Sequence, residues 1–320
     1  MFSLLICIAL IDIDSFWIPQ VLINFGFISG VLGLIFISSG ISVSQPEITN
    51  NKIKKSDVDE IIMGQVLTGG MGQNPARRAA IEAGIPIEKP AHIVNQVCGS
   101  GIRSVASGFQ SIKSGDAKIL VAGGQENMSL APHAIHLRDG KKLGDAELID
   151  TMIKDGLWDA FHGYHMGVTA ENVAEKFQIT RNEQDKFAFK SQGKALKAQK
   201  ENKFKDEIVN FKIKSKKAQI DFNKDEHPRE GINLEALSRL KPVFKNDGTV
   251  TAGNASGIND GASALVLANE EKAKKGIPLA RIVSYGFGGV DPDEMGMGPV
   301  PASKMALNKA QLTVADLDLI

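Results

Sequence analysis

Val94-Asn95-Gln96-Val97-Cys98-Gly99-Ser100-Gly101 joins two different sequence periodicities. The residues leading into it, Ala91-His92-Ile93-Val94-Asn95-Gln96-Val97, form a short β-branched run with the composition of a strand. Beyond Ser100, the apolar residues Ile102, Val105, Ala106, Phe109 and Ile112 recur at helical spacing. Cys98 is therefore expected at a strand-to-helix turn. Glycines on both sides of Ser100 relax the backbone there, and a helix N-terminus offers unpaired N–H groups and partial positive charge that stabilise a thiolate. On these residues alone two readings stand: a mounted nucleophile, or a small buried hydrophobe, which is the commoner fate of a single cysteine.

The neighbouring segments extend the pattern. Ile61-Ile62-Met63-Gly64-Gln65-Val66-Leu67 reads as a short buried strand, residues 69–73 as a loop, and residues 74–84 as a helix with Pro75 near its start and Gly84 at its stop. After the Cys98 helix, Ala117-Lys118-Ile119-Leu120-Val121-Ala122-Gly123-Gly124 is another buried strand closing on glycines. Strand, helix, strand, helix, strand implies an α/β fold with a mostly parallel sheet. Between about residues 125 and 241 the texture changes to helical patterns (residues 169–177 and 182–200) joined by polar connections, with lysines dense over residues 194–217. Acids such as Asp206 and Glu207 interleave with those lysines, so the run is expected to be a solvated helix face. Strand character returns at Ala264-Leu265-Val266-Leu267-Ala268, followed by a helix over residues 270–275 and a further strand expected over residues 280–287. The middle third thus reads as an insertion between two α/β parts, and no short-period repeat is visible.

Composition excludes several classes. Over 320 residues Lys plus Arg (37) equals Asp plus Glu (37), so no basic field points to nucleic acid and no acidic excess to disorder. Two cysteines, Cys7 and Cys98, make a disulfide framework implausible and fit a reducing, cytoplasmic compartment. The first 45 residues differ from the rest: they hold no Lys or Arg, and residues 17–38 are almost unbroken apolar sequence of bilayer-spanning length. The missing basic flank and the acids Asp12 and Asp14 argue against a signal peptide and against an oriented membrane helix. Three readings of this leader stand: a membrane anchor through residues 17–38, a partly buried core segment, or a stretch outside the folded domain.

Four strings carry a resemblance. They are residues 94–103 around Cys98; Gly123-Gly124-Gln125-Glu126-Asn127-Met128-Ser129; Asp159-Ala160-Phe161-His162-Gly163-Tyr164-His165-Met166-Gly167 with Thr169-Ala170-Glu171-Asn172; and Gly248-Thr249-Val250-Thr251-Ala252-Gly253-Asn254-Ala255-Ser256-Gly257 with Asn259-Asp260-Gly261. In this order, over about residues 52–320, they resemble the thiolase family of acyl-CoA acyltransferases, and most closely its short-chain members acting on acetoacetyl-CoA. The resemblance implies a layered αβαβα fold, here incomplete, with a helical loop-domain insertion. Its expected parts are an atypical apolar leader (1–51), an N-terminal half with the nucleophile (52–124), a CoA-covering insertion (125–241), and the completion of that half with the start of a related C-terminal half (242–320).

The resemblance also implies chemistry. Cys98 would carry the acyl group as a thioester, so that one difficult step becomes two, in the condensation of two acetyl-CoA or the reverse thiolysis. It assigns CoA contacts to Leu157, His165, Met166, Arg229, Phe244, Ala252 and Ser256, and each is chemically apt. Arg229 offers a planar cation to adenine or phosphates, Ser256 a hydroxyl to a pantetheine amide, and Leu157, Met166 and Phe244 an apolar channel. Ala236 stands where the family often has a serine near the adenine, so that contact is not carried over. No cofactor and no metal are implied, CoA thioesters being substrates, and the expected partner is a second copy of the chain in a dimer or tetramer. The chain departs from the family in two places. The Arg-Thr-Pro opening strand is replaced by the apolar leader, and the activating His, second catalytic Cys and oxyanion-hole Asn belong to motifs expected after Ile320. Such departures fit a truncated or misframed product, or a fragment of a normal enzyme; the alternative function is then a CoA-binding or oligomer-forming fragment that does not turn over. None of His92, His133, His136, His162, His165 and His227 is promoted to a substitute base.

Overall fold

A computed structural model describes residues 53–320 except 139, 206, 207, 209, 215–218, 275–279, 319 and 320. The apolar stretch at residues 17–38 lies outside the described residues, and among those described no helix is long and apolar enough to cross a membrane. The first half follows the expected alternation: β1 (Glu60–Gly64), α1 (Pro75–Glu82), β2 (Ala91–Val94), α2 (Ser100–Ser114) and β3 (Ile119–Glu126). The start of α1 is set by Asn74, whose side-chain oxygen accepts the Arg77 N–H, with Pro75 in the first turn, where its missing N–H costs nothing. Residues 125 and 126 extend β3 beyond the strand end expected at Gly124, because they pair with Ala262 and Gly261 of a later strand.

The excursion between β3 and the last sheet strand contains two short hairpins, β4 (His133–Ala134) with β5 (Ile149–Asp150) and β6 (Trp158–Asp159) with β7 (Tyr164–His165). A single π-helical turn, Met152–Leu157, links them. Helices α3 (Met166–Lys176) and α4 (Arg181–Lys200), a hairpin of β8 (Phe211–Lys214) and β9 (Gln219–Phe222), and α5 (Leu234–Ser238) follow. Thr180 and Glu183 form a reciprocal capping box at the start of α4, and most of that helix is exposed, as a solvated lysine-bearing face requires. The chain then re-enters the sheet as β10 (Gly261–Ala268) and ends with α6 (Glu270–Ala273) and α7 (Pro299–Ala310).

The sheet runs β10-β3-β1-β2, with β1 parallel to both β2 and β3 and β10 antiparallel to β3. Its two faces are apolar, as a sheet covered on both sides demands. On one face Ile61, Met63, Val121 and Val266 pack with Ala76 and Ala80 of α1. On the other, Leu120, Ala122 and Leu267 pack with Val105 and Ile112 of α2. Leu120 and Leu267 are almost fully buried, and each such burial stabilises by roughly 1.5–3 kcal/mol. Helix α2 therefore lies between this sheet and the chain that follows: Ile282 joins its cluster, Tyr285 meets Phe109 edge-on at 5.7 Å, and Arg103 sits 4.3 Å over the Phe287 ring.

The strand expected over residues 280–287 does not form. Only Ile282 makes a bridge, and the segment is held by side-chain contacts, including a 2.6 Å hydrogen bond from Ser284 Oγ to the Ala306 carbonyl of α7. Its apolar, β-branched composition is that of a strand, but an isolated strand cannot satisfy its own backbone, and no neighbouring strand is present among the described residues.

Candidate active site

The turn between β2 and α2 is built by short-range bonds. Asn95 Oδ1 accepts the Val97 N–H at 2.9 Å, and the Val97 carbonyl accepts the Ser100 N–H at 3.1 Å and its hydroxyl at 2.6 Å. Ser100 Oγ in turn accepts the Gln96 N–H at 2.8 Å, so this buried hydroxyl stitches the turn from both sides. Val97 is held at φ +47°, a left-handed conformation that a β-branched residue adopts only under constraint. The outcome is that Cys98 stands exposed, as a free thiol, directly ahead of the first residues of α2. The buried-hydrophobe reading of Cys98 is thereby corrected: the strained turn pushes the side chain out of the core.

Helix α2 can approach the sheet at this point because β1 ends in glycine. A Cβ on Gly64 would lie 2.3 Å from the Ser100 carbonyl carbon and 2.5 Å from the Gly101 nitrogen. The carboxyl ends of β1, β2 and β3 share one edge of the sheet, and β10 starts there too, since Gly261 pairs with Glu126. That edge of an open parallel sheet is where ligands collect. Glu126, the last residue of β3, ties the chain after β1 to this edge: its carboxylate accepts the N–H groups of Val66 (2.8 Å) and Leu67 (2.9 Å). Burial pushes the Glu126 carboxyl up from its ordinary value, although those two N–H groups pull the other way.

The insertion and the chain after it carry the remaining candidate residues. Leu67, just after β1, meets Gly156, so the π-helical turn that ends in Leu157 sits beside the β1 terminus. The β6–β7 hairpin then places His165 as the N-cap of α3, where Nδ1 accepts the Gly167 N–H at 3.0 Å. That bond fixes the ring as a neutral imidazole with its proton on Nε2, and burial also pushes the His165 pKa down. The His165 ring stacks on Phe244, with centroids 4.6 Å apart and planes inclined by 18°. Gly167 makes room for this stack: a Cβ there would lie 2.1 Å from the Phe244 ring.

Phe244, Ala252 and Ser256 belong to one segment, residues 243–256, folded back on itself by a 3.0 Å bond from the Val243 N–H to the Val250 carbonyl. Leu157, Met166 and Phe244 are half-buried, whereas Ala252 and Ser256 are exposed, as walls of an open site would be. Arg229 is exposed on the connection after β9; its N–H donates to Gln192 Oε1 of α4 at 3.0 Å. Two residues earlier His227 packs against Gly257, whose missing Cβ would lie 2.7 Å from the imidazole, which brings the Arg229 connection beside Ser256.

Three groups at this site have no assignment in the sequence reading. Glu171 and Asp185, each 4 % exposed, hold residues 249–254 from α3 and α4. His162 bonds through Nδ1 to Asp159 Oδ2 at 2.8 Å and stacks on Tyr164. The hydrogen bond that His162 donates to Asp159 chiefly pushes its pKa up from the ordinary value, against burial, with the charges of Asp159, Asp293 and Asp291 adding to the rise. Glu171 and His162 lie within strings quoted above, yet nothing in the local sequence shows what a polar side chain bonds to across the fold. Among the described residues no group of three His, Cys, Asp or Glu side chains is arranged to hold a metal ion.

Comparison with known proteins gives the family. Residues 40–271 match the family described as "Thiolase, N-terminal domain" and residues 277–320 match "Thiolase, C-terminal domain". The chain is 58% identical over 270 residues to the acetyl-CoA acetyltransferase of Rhizobium meliloti (strain 1021), covering 84% of this chain and 69% of that protein. It is 48% identical over 299 residues to the cytosolic acetyl-CoA acetyltransferase of Rattus norvegicus, covering 92% and 75%. Among solved structures, the acetyl-CoA acetyltransferase of Bacillus anthracis superposes with a TM-score of 0.79 at 44% identity, over 83% of this chain and 68% of that one. An exposed cysteine on a strained strand-to-helix turn, an α/β sheet gathering its site at one edge, and family matches across both halves lead to one conclusion: the chain belongs to the thiolase family.

Proposed function

We propose that the chain transfers acyl groups between CoA thioesters, with acetyl-CoA and acetoacetyl-CoA as substrates and Cys98 as the acyl carrier. The observation that carries this reading is the exposed thiol of Cys98 at the sheet edge where β1, β2 and β3 end and where the chain after Ser256 enters β10. In the first half-reaction the Cys98 thiolate attacks the thioester carbonyl, a new C–S bond forms, the bond to CoA breaks, and CoA leaves as a thiolate that takes up a proton. In the second, an acetyl-CoA that has lost an α-proton attacks the acyl-cysteine carbonyl; the C–C bond forms and the Cys98 thiolate is released. Thiolysis is the same sequence reversed. A base for the thiol and an acid/base for the α-carbon are required, each worth roughly 10²- to 10⁴-fold.

The residues suit CoA. His165, neutral with Nε2–H as donor, can hydrogen-bond a pantetheine amide carbonyl, and Leu157, Met166 and Phe244 line an apolar path for pantetheine. Ser256 reaches an amide, and Arg229, exposed beside that segment, suits the adenine or phosphates. Within this reading residues 125–241 cover CoA, no cofactor takes part, the protein works in the cytoplasm, and it assembles as a dimer or tetramer. The test is intact-mass analysis after mixing the protein with acetoacetyl-CoA. A gain of one acyl group, mapped to Cys98 and lost in Cys98→Ala, is expected. No CoA binding and no adduct at any pH would overturn the proposal.

A further inference from the structure

Helix α3 meets the segment of residues 243–256 at two points. At its N-cap His165 stacks on Phe244; farther along, Glu171 turns a buried carboxylate onto residues 249 and 250. Glu171 accepts the Thr249 N–H, the Thr249 hydroxyl and the Val250 N–H, all at 2.8 Å. The backbone approaches as closely as glycine allows, since a Cβ on Gly248 would lie 2.3 Å from Glu171 Oε1. A second buried carboxylate fixes the far end of the same segment. Asp185 accepts from Asn254 Nδ2 at 3.0 Å and is itself ion-paired to Arg181 at 2.8 Å, while Asn254 Oδ1 accepts the Thr251 N–H at 2.7 Å.

A carboxylate buried on backbone N–H groups is expensive to desolvate and is held by short, charge-assisted bonds. Such bonds are directional, so they set a distance as well as supply energy. The distance Glu171 sets is that between α3, which carries His165, and the segment that carries Phe244 at one end and Ser256 at the other. We infer that Glu171 is a positioning residue for the acyl-CoA: it touches no substrate and holds the two walls of the pantetheine path in register. This inference rests on the acyl-transfer reading above. It predicts an effect on substrate affinity with the chemistry at Cys98 left intact, because the Glu171 carboxylate spends its hydrogen bonds on Thr249 and Val250 rather than on the turn at residues 95–100.

The test is single-turnover acylation of the full chain by acetoacetyl-CoA, followed by intact mass as a function of substrate concentration, alongside calorimetric binding of CoA. Glu171→Ala should raise the half-saturating concentration and the CoA dissociation constant about tenfold or more, within the range expected for a misplacement of about 1 Å. The saturating acylation rate, and the alkylation of Cys98 by iodoacetamide, should stay within about twofold, since transition-state contacts are untouched. Glu171→Gln, whose one carbonyl oxygen can still accept both N–H groups, should return the half-saturating concentration to within about threefold. If Glu171→Ala does not fold, Glu171→Asp, which keeps the charge but falls a methylene short, should show the same shift at roughly half its logarithmic size. Wild-type half-saturation and CoA affinity in the variant that folds, or a loss confined to the saturating rate, overturn the inference while leaving acyl transfer standing. A wild-type chain that is not acylated but binds CoA still reads the inference out through the CoA dissociation constant. A wild-type chain that does neither overturns both.

Discussion

Replacing Gly64 by Ala tests the geometry that mounts Cys98, because the collision is with backbone. The new Cβ would stand 2.3 Å from the Ser100 carbonyl carbon and 2.5 Å from its oxygen, about 1.1 Å short of the 3.4 Å at which ordinary contact begins. Neither side yields easily: Gly64 is paired on both sides, to Val94 and to Gly124, and Ser100 is bonded into the turn through its hydroxyl. Two effects oppose each other. Loss of glycine freedom in the unfolded chain favours the variant by about 0.4–1 kcal/mol, while overpacking against rigid structure costs about 1–3 kcal/mol. The balance is a destabilisation of about 1–2 kcal/mol, a Tm lower by about 2–8 °C. If the helix start yields instead, Cys98 moves with it by about 1 Å, and acylation slows by up to about 10²-fold. Gly193→Ala is the matched control, since a Cβ at that exposed site in the interior of α4 meets nothing within 4 Å. It should stabilise by about 0.5–1 kcal/mol and leave acylation unchanged. Thermal melts and the single-turnover mass assay measure both quantities. A Gly64→Ala protein as stable as Gly193→Ala, with wild-type acylation, would refute the reasoning.

Gly167→Ala sets helix propensity against the Phe244 ring. An exposed helical site would gain up to about 1 kcal/mol, but this Cβ lands 2.1 Å from the ring, and displacing a packed aromatic costs about 1–3 kcal/mol. A lower Tm together with a weaker CoA affinity is expected; a more stable protein with unchanged affinity contradicts the stack. The two histidines of the β6–β7 hairpin should titrate on opposite sides of the ordinary imidazole value of 6.5, His162 above it and His165 below it. The contribution of His162 to stability is full below 6.5 and is lost as the pH rises through its raised folded value. That of His165 is full above 6.5 and is lost as the pH falls through its lowered value. Ring-proton NMR titrations of single-histidine replacements read the order directly, and the reverse order would discredit the assignment of His165 as a half-buried acceptor.

Much of this was legible along the chain because it is local. The change from β-branched run to helical spacing around Cys98, the Asn74–Pro75 helix start and the buried runs of β1, β3 and β10 all depend on neighbours within a few residues. The strand expected over residues 280–287 shows where that stops: strand composition states a capacity for pairing, and whether a partner is alongside depends on distant chain. The quoted strings contain His165 and Ser256, and the resemblance they carry added Phe244, yet Glu171 and Asp185 passed without a role. Their partners lie 78 and 69 residues away, at Thr249 and Asn254.

What the sequence by itself determined is therefore the alternation of elements, the place of Cys98 at a strand-to-helix junction and the family. Each of these is written in periodicity, glycine placement and contiguous strings. Only the tertiary structure decided that Cys98 is exposed, that the β10 segment returns antiparallel to the edge where β1, β2 and β3 end, and that two buried carboxylates fix the segment carrying Phe244 and Ser256 against the helices. These are consequences of close packing and of satisfying buried polar groups across the fold, and such constraints act between residues that the sequence keeps far apart.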